Sequence, residues 1–590
     1  MKINSKIFSI QFLIFFFFLF ATIPPVQAGN LYEERIYEPV VLMGSQLAAF
    51  NNVPLNEIFL YAYSQNSQTW KLIPFQIDER IHALDPFKNP ADSIFRHSYF
   101  LPDDGLLDND DEFVFMIRDL GDRANAGNWI DNPESKSFLR LEIEVKDPID
   151  SEKKAYGYLY RSTSIQEPVP TPYSFEYDAP SHTVSNPYYS VRMSTNNGLI
   201  EDIALLPPFG TGVDIFDTQK IRINGVFDFG TYPFYMGRGG VPSANERDNI
   251  YLYNEIDTDQ YYHQFNNRPV VRLIREVRQT LGFGSLHIDD LAFYVKTKFY
   301  PFSGTLEGGA NLDPEKLKEE LGTVEDVYIQ LDLLRQSWDF NAQASDMKFH
   351  NRYNENVSID GVQDEVNKKI DVPIYEWSLA SGDQGSMFTF ITFADTSWGS
   401  IELYYYDNKD GGQNDNTYVI SGDTGDKKSY GDHGILFKDL AQQSVNLQLN
   451  FIAYFLPANL AKSDGEQLAY WLKNPPVITT KATAYTSGVE DADKLTTVVS
   501  FALEQNYPNP FNSVTQIRFS LPQTALIKLT VFDISGREIK ALIDQSFPKG
   551  EHSLSWDGTN SQNQKVSSGV YIYKLESEYF SDSKKMILLY

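Results

Sequence analysis

Along most of this chain apolar and polar residues alternate in short runs cut by Asn, Asp, Gly and Pro, the two-residue period of strands with one buried and one wet face. Val270-Val-Arg-Leu-Ile-Arg-Glu-Val-Arg278 sets Val, Leu and Ile against Arg, which suits an antiparallel strand solvated on one side. The pattern predicts strands over Tyr37–Phe50, Ile58–Tyr63, Trp70–Asp78, Phe113–Ile117, Phe138–Val145 and Tyr156–Arg161. It continues over Ile215–Phe229, Val270–Thr280, Ala292–Tyr300, Val327–Leu334, Met387–Phe393 and Ser400–Tyr406. Phe451–Leu456 is continuously apolar and reads as a buried core strand. A helical signal appears at Asp313–Leu321, which opens on an Asp-Pro start, and at Asp464–Leu472.

These elements predict an all-β fold: several antiparallel β-sandwiches in one chain, since 590 residues exceed what a single small core organises. The Pro-rich run Glu167–Pro172 separates an N-terminal β-domain, 29–166, from a larger sandwich-like region, 173–478. Residues 479–500 are rich in Thr, Ser, Ala and charge, and are expected to form a linker where a processing protease would cut. At the start of the chain, Lys2 and Lys6 precede the apolar stretch Ile7–Phe20 and the small-residue site Val26-Gln-Ala28. This predicts a signal peptide over 1–28 cleaved before Gly29, because the apolar core falls short of the roughly 20 residues a spanning helix needs. No later segment is long and apolar enough to span a bilayer as a helix.

Residues 501–590 carry a further series of short strands and turns. It begins Leu503-Glu-Gln-Asn-Tyr-Pro-Asn-Pro-Phe-Asn512 and passes through Ile517-Arg-Phe-Ser-Leu-Pro522, Val531-Phe-Asp-Ile-Ser-Gly-Arg-Glu538, Ser555-Trp-Asp-Gly558 and Gly569-Val-Tyr-Ile-Tyr-Lys-Leu575. It ends on Lys584-Lys-Met-Ile-Leu-Leu-Tyr590. The series resembles the C-terminal type A sorting domain of the type IX secretion system, motif by motif and in the same order. The resemblance implies an Ig-like sandwich that acts as an address, with the secretion machinery as partner and the cell surface or the medium as destination. It marks Asn506, Pro508, Asn509, Pro510 and Phe511 as the entry motif, and Gly536, Gly558 and Gly569 as turn positions.

Composition narrows what the rest can do. The formal net charge of -29 argues against nucleic acid as a partner, because phosphate binding draws on Lys and Arg. The absence of Cys excludes disulfides and Cys-ligated zinc. Asp103-Asp-Gly-Leu-Leu-Asp-Asn-Asp-Asp-Glu112 clusters oxygen ligands beside a Gly, so Asp104, Asp108, Asp110 and Asp111 are either calcium ligands on a tight loop or a solvated acidic turn before a strand. The spacing resembles part of a thrombospondin type 3 repeat but lacks the upstream Asp-x-Asp. Asp423-Thr-Gly-Asp426 is a second acidic turn open to the same two readings.

No nucleophile elbow, His-Glu-x-x-His helix, phosphate loop or dinucleotide fingerprint is present, and the eight His are scattered. Tyr261, His263, Arg268 and Arg272 stand close in sequence and supply the residue types a β-sandwich polysaccharide lyase uses. Exposed aromatics stack on sugar rings, so Tyr404, Tyr406 and Tyr188 are candidate ligand-binding residues within Tyr404–Gly412 and Asn186–Tyr189. Two function classes follow. One is an exported β-sandwich that binds a polysaccharide or matrix ligand. The other is a secreted carbohydrate-active enzyme, a lyase or glycoside hydrolase.

Overall fold

The computed structural model describes residues 30–79, 104–194, 199–228, 233–236, 251–254, 271–283, 286–312, 328–370, 375–393, 400–410, 429–438, 445–485 and most of 502–588. The signal segment 1–28, the helix expected at Asp313–Leu321 and the turn Asp423–Asp426 lie outside these residues. The described residues form antiparallel sheets stacked into sandwiches, the all-β multidomain architecture that the alternation predicts.

The N-terminal sandwich pairs a three-stranded sheet (Pro39–Met43, Glu112–Met116, Gln76–Asp78) with a five-stranded one. Leu141, Ile143 and Val145 point from one strand into the same core as Leu42, Phe113 and Phe115 from the other sheet. Two strand expectations are divided by the backbone. Trp70–Asp78 splits at Pro74 into Thr69–Leu72, which joins the five-stranded sheet, and Gln76–Asp78, which joins the three-stranded one. Proline offers no N–H to a ladder, so the chain changes sheets there. Within Tyr37–Phe50 the strand ends at Met43, and Gly44–Phe50 coils into 3₁₀ turns. Gly44 lies so close to the Asp108 carbonyl that a Cβ would sit 1.6 Å from it, so glycine is required at this crossing.

The five-stranded sheet is completed from far away in the chain. Val477–Thr483 pairs with Arg140–Lys146, Ile478 opposite Val145 and Ala482 opposite Leu141. Residues 479–483, expected in the linker, therefore belong to the N-terminal sandwich. Their three Thr continue a strand opened by Val477 and Ile478, all strand formers, and Ile478 and Ala482 reach its core.

The central region stacks a five-stranded sheet (Pro233–Met236, Phe216–Asp228, Tyr328–Phe340, Ser429–Lys438, Ser400–Asn408) on a nine-stranded one. Trp338, Phe340, Ile435, Phe437 and Leu403 from the first meet Met387, Ile391, Phe451 and Phe455 from the second. The helix Lys462–Lys473, expected at Asp464–Leu472, lies on the outer face of the nine-stranded sheet. Leu468 and Ala469 bury against Trp377, Phe388 and Phe390, and Gly465 lets the helix approach to where a Cβ would be 2.6 Å from the Trp377 ring.

The two cargo units are joined by a polar clamp. Gln76 Oε1 accepts from the backbone N–H of Val271 (2.9 Å) and Arg272 (3.0 Å), and its Nε2 donates to the Arg272 carbonyl (2.9 Å). The fully buried Arg272 guanidinium bonds Asp78 and reaches Glu112 at 2.6 Å. Val114, Met116, Phe209, Val271 and Phe302 close around it. The C-terminal module is a sandwich of three strands (Ala502–Leu503, Thr515–Leu521, Gly550–Trp556) on four (Glu538–Phe547, Ala525–Asp533, Gly569–Glu576, Ser581–Leu588).

Candidate functional site

In the C-terminal module the entry motif acts as a clip on the final strand. Asn506 is buried; its N–H donates to Tyr573 Oη (2.8 Å) and its Nδ2 to Thr515 Oγ1 (2.9 Å), tying both sheets together. Asn509 Oδ1 accepts from the Ile587 N–H (2.8 Å), and the Phe511 N–H donates to the Ile587 carbonyl (2.9 Å). The Phe511 ring then packs at 5.7 Å from Trp556. Ser581–Leu588 is an edge strand, and this clip occupies part of its open side. Gly558 adopts φ +68 in the turn after Trp556, a left-handed conformation that glycine takes without strain, and Gly569 opens its strand. Pro508, Pro510 and Gly536 lie outside the described residues.

The acidic loop turns its carboxylates on its own backbone. Asp104 Oδ1 accepts from the Leu106 N–H, Asp108 Oδ1 from Asp110, and Asp111 Oδ2 from Asp108. Burial, followed by the neighbouring Asp110, raises the Asp108 carboxyl to about 6. Among the described residues no three His, Cys, Asp or Glu side chains stand together as a metal site would need.

Tyr404 and Tyr406, expected on a binding rim, are 3% and 8% exposed. The Arg335 guanidinium covers the Tyr404 ring at 4.3 Å, and Asn408 Nδ2 donates to Tyr406 Oη. Both pack with Leu436 of the neighbouring strand, so one hydrophobic cluster absorbs them. Tyr188 packs between Phe209 (4.9 Å) and Phe302 (4.7 Å) at the junction of the cargo units. Arg272 is held in the clamp by two carboxylates, while Tyr261, His263 and Arg268 lie outside the described residues.

The same sheet carries a buried ionic set. Lys220 Nζ lies 2.7 Å from Asp339 Oδ2 and 3.6 Å from Asp432 Oδ2, and Asp339 Oδ1 accepts from the Tyr430 N–H. Asp407, from the neighbouring strand, accepts the N–H groups of Asp360, Gly361 and Gly431. Burial raises its carboxyl to about 6, against those three bonds. These groups are sealed from solvent and fix loops.

A different surface presents aromatic rings and cations outward. Tyr375 opens its strand at the rim of the nine-stranded sheet with one face stacked on Phe390 at 5.4 Å. The Arg352 guanidinium lies 4.9 Å and the Lys473 ammonium 4.2 Å from the same Tyr375 ring centre. Beside Arg352, Tyr353 carries Lys369 at 5.1 Å. Lys462 Nζ donates to the Arg352 carbonyl. The helix supplies Lys473 from its last turn, where its dipole favours a cation, and Tyr470, 42% exposed, one turn before it. That helix end is locked, because fully buried Arg35 donates to the Asn474 carbonyl at 2.7 Å. The charge environment is felt at His350, whose imidazole is lowered mainly by burial, with Lys462 and Lys348 adding to that and Glu355 opposing it. None of these residues carried a sequence signal, since they come from two separate segments, 352–375 and 462–473, that only the fold unites.

Residues 505–589 match the family described as the secretion system C-terminal sorting domain. The C-terminal module is thus a type IX secretion sorting domain, which implies contact with that machinery and export to the cell surface or the medium. Among the described residues no helix is long and apolar enough to cross a membrane. No curated protein matches the chain. Solved structures similar to it include a polysaccharide lyase (8% identity, 68% of this chain and 46% of that one, TM-score 0.22). Others are a putative aldose 1-epimerase from Klebsiella pneumoniae (10%, 50% and 84%, 0.26) and an alpha-mannosidase from Enterococcus faecalis (10%, 88% and 53%, 0.32). The chain spans less than two thirds of the lyase and of the mannosidase. TM-scores this low carry no argument about fold or activity.

Proposed function

We propose that this is an exported glycan-binding protein, carried out by its sorting domain and attaching to polysaccharide through the rim of its central sandwich. The observation that supports this reading is the surface of Tyr353, Tyr375 and Tyr470 with Arg352, Lys369 and Lys473 at a sheet end and on a helix tied by Arg35. Tyrosines offer apolar ring edges and hydroxyls to sugars at a low entropy cost, and a strand start and a helix position Tyr375 and Tyr470. The alternative, a secreted lyase or hydrolase, needs acid, base or cation side chains open to a substrate. The Lys220–Asp339–Asp432 set and Asp407 are sealed from solvent, so they are not such groups.

The full chain incubated with a panel of polysaccharides tests this. Retention without new reducing or unsaturated ends is the expected result. Release of such ends replaces the binding reading with the enzyme reading, and no retention on any polysaccharide overturns it.

A further inference from the structure

We infer that the sorting module is read through the outer face of its four-stranded sheet, which docks on a folded protein component of the secretion machinery. The two outer faces of this sandwich differ in kind. On the three-stranded side Gln516 stands opposite Ser555 and Arg518 opposite Ser553, all four exposed, while Ile517, Phe519 and Trp556 turn into the core. On the four-stranded side Leu529, Val531, Tyr571, Tyr573, Met586 and Leu588 point inward. Alternation therefore turns Phe532, Val570, Ile572 and Ile587 outward. Phe532 lies opposite Ile572 and Val570 opposite Ile587, so the four form a contiguous row. They are half-buried, and none packs into the core. Leu526 lies on the same face, beyond Lys528 and Thr530, and is 64% exposed, the most of any large hydrophobic side chain among the described residues.

The row crosses three strands, about 10 Å at ordinary strand spacing. Polar side chains surround it, which gives the apolar centre and polar rim of a protein interface. That rim is balanced in charge. Lys528, Lys574 and Lys585 share the face with Glu538, Asp544 and Glu576, and Lys528 stands opposite both Asp544 and Glu576. An anionic lipid surface would call for a cationic rim, so the balanced set favours a protein. The occupant follows from the module's family, which implies contact with the secretion machinery. Of the two outer faces this one supplies the aromatic and aliphatic anchors that hold a partner. The entry motif supports the row from behind. Asn509 accepts from the Ile587 N–H and Phe511 donates to the Ile587 carbonyl, which keeps the last strand in register beneath its outward side chain.

Photo-crosslinking in producing cells tests the face, with benzoylphenylalanine placed in the full chain at position 526, at position 572 or, as a control, at position 518. Delivery of two variants is read by cell fractionation alongside: Phe532→Ser/Ile572→Ser on this face and Arg518→Ser/Ser553→Ala on the other. Melting curves verify that both fold. We expect adducts from positions 526 and 572, and none from 518, to a protein whose deletion also stops delivery of the unaltered chain. Delivery of the Phe532→Ser/Ile572→Ser variant should fall at least about tenfold, the loss that truncated interface anchors produce, while the control variant is delivered normally. Normal delivery of the Phe532→Ser/Ile572→Ser variant overturns the proposal, as does an equal yield of adducts from position 518. Adducts only to lipid, to a second copy of this chain or to its own cargo overturn the protein partner. Should the double variant fail to fold, the adducts decide, and their absence at 526 and 572 overturns docking through this face.

Discussion

Burial raises the Glu38 carboxyl to about 7, against the pull of Arg35 beside it and with Asp147 adding to the rise. The unfolded side chain titrates near its ordinary value of 4.5, so between about 4.5 and 7 the folded protein holds a proton that the unfolded chain has released. Stability contributed by this group is full below that window and is lost as pH rises through it. Asp119 and Asp407, each raised to about 6 by burial, act with the same sign. His433, buried between Phe340 and Phe349 and lowered to about 4, acts with the opposite sign, losing stability as pH falls from 6.5 toward 4. We predict that the melting temperature falls between pH 5 and pH 8, and that Glu38→Gln makes the fall shallower. A variant with an unchanged slope would show that Glu38 does not titrate there. Single residues were also where the sequence misled most. Tyr404 and Tyr406 look like rim aromatics in Tyr404–Gly412, but a strand shows alternation without saying which face is covered, and here Arg335 and Leu436 cover theirs. The rim that does present tyrosines draws on Arg352, Tyr375 and Lys473, whose proximity is created by sheet pairing and a helix end.

Elements were more legible, because period and turn chemistry are local. Ile58–Ser64, Glu112–Met116, Ser400–Asn408 and the helix Lys462–Lys473 lie close to their expected bounds. The differences arise where a local signal meets a distant partner. Pro74 passes the chain from one sheet to the other, and Val477–Thr483 looks like a Thr-rich linker until Arg140–Lys146 supplies its ladder. Placing a charge in that strand tests its role. Ala482→Asp sets a carboxylate against Leu141 in the N-terminal core, and without a partner it should cost roughly 2 kcal/mol or more. The expected readout is a lower melting temperature with earlier proteolysis within 30–166. A wild-type melting curve would place residues 477–483 outside the sandwich's stability.

At the scale of the whole molecule the charge is unevenly shared. Residues 501–590 contain nine acidic and nine basic side chains, so the net charge of -29 resides in the preceding chain. A neutral address module follows a strongly acidic cargo. Ending the chain after Thr497 removes the sorting domain and should abolish delivery to the surface or medium, read by fractionation of the producing cells. Delivery of the shortened chain would show that the address lies elsewhere. The module was legible because its motifs follow in order within ninety residues, whereas the cargo's sheets pair segments hundreds of positions apart, as Val477–Thr483 with Arg140–Lys146.

The pairing of Val477–Thr483 with Arg140–Lys146 also sets an order of events during synthesis. The first sandwich to emerge stays open at one edge until almost the whole cargo has been made, and the strand that closes it comes directly before the sorting domain. A chain that stops short of residue 477 therefore lacks both its closing strand and its address. Completion of the cargo fold and possession of an export label coincide, and an unfinished protein has no ticket out.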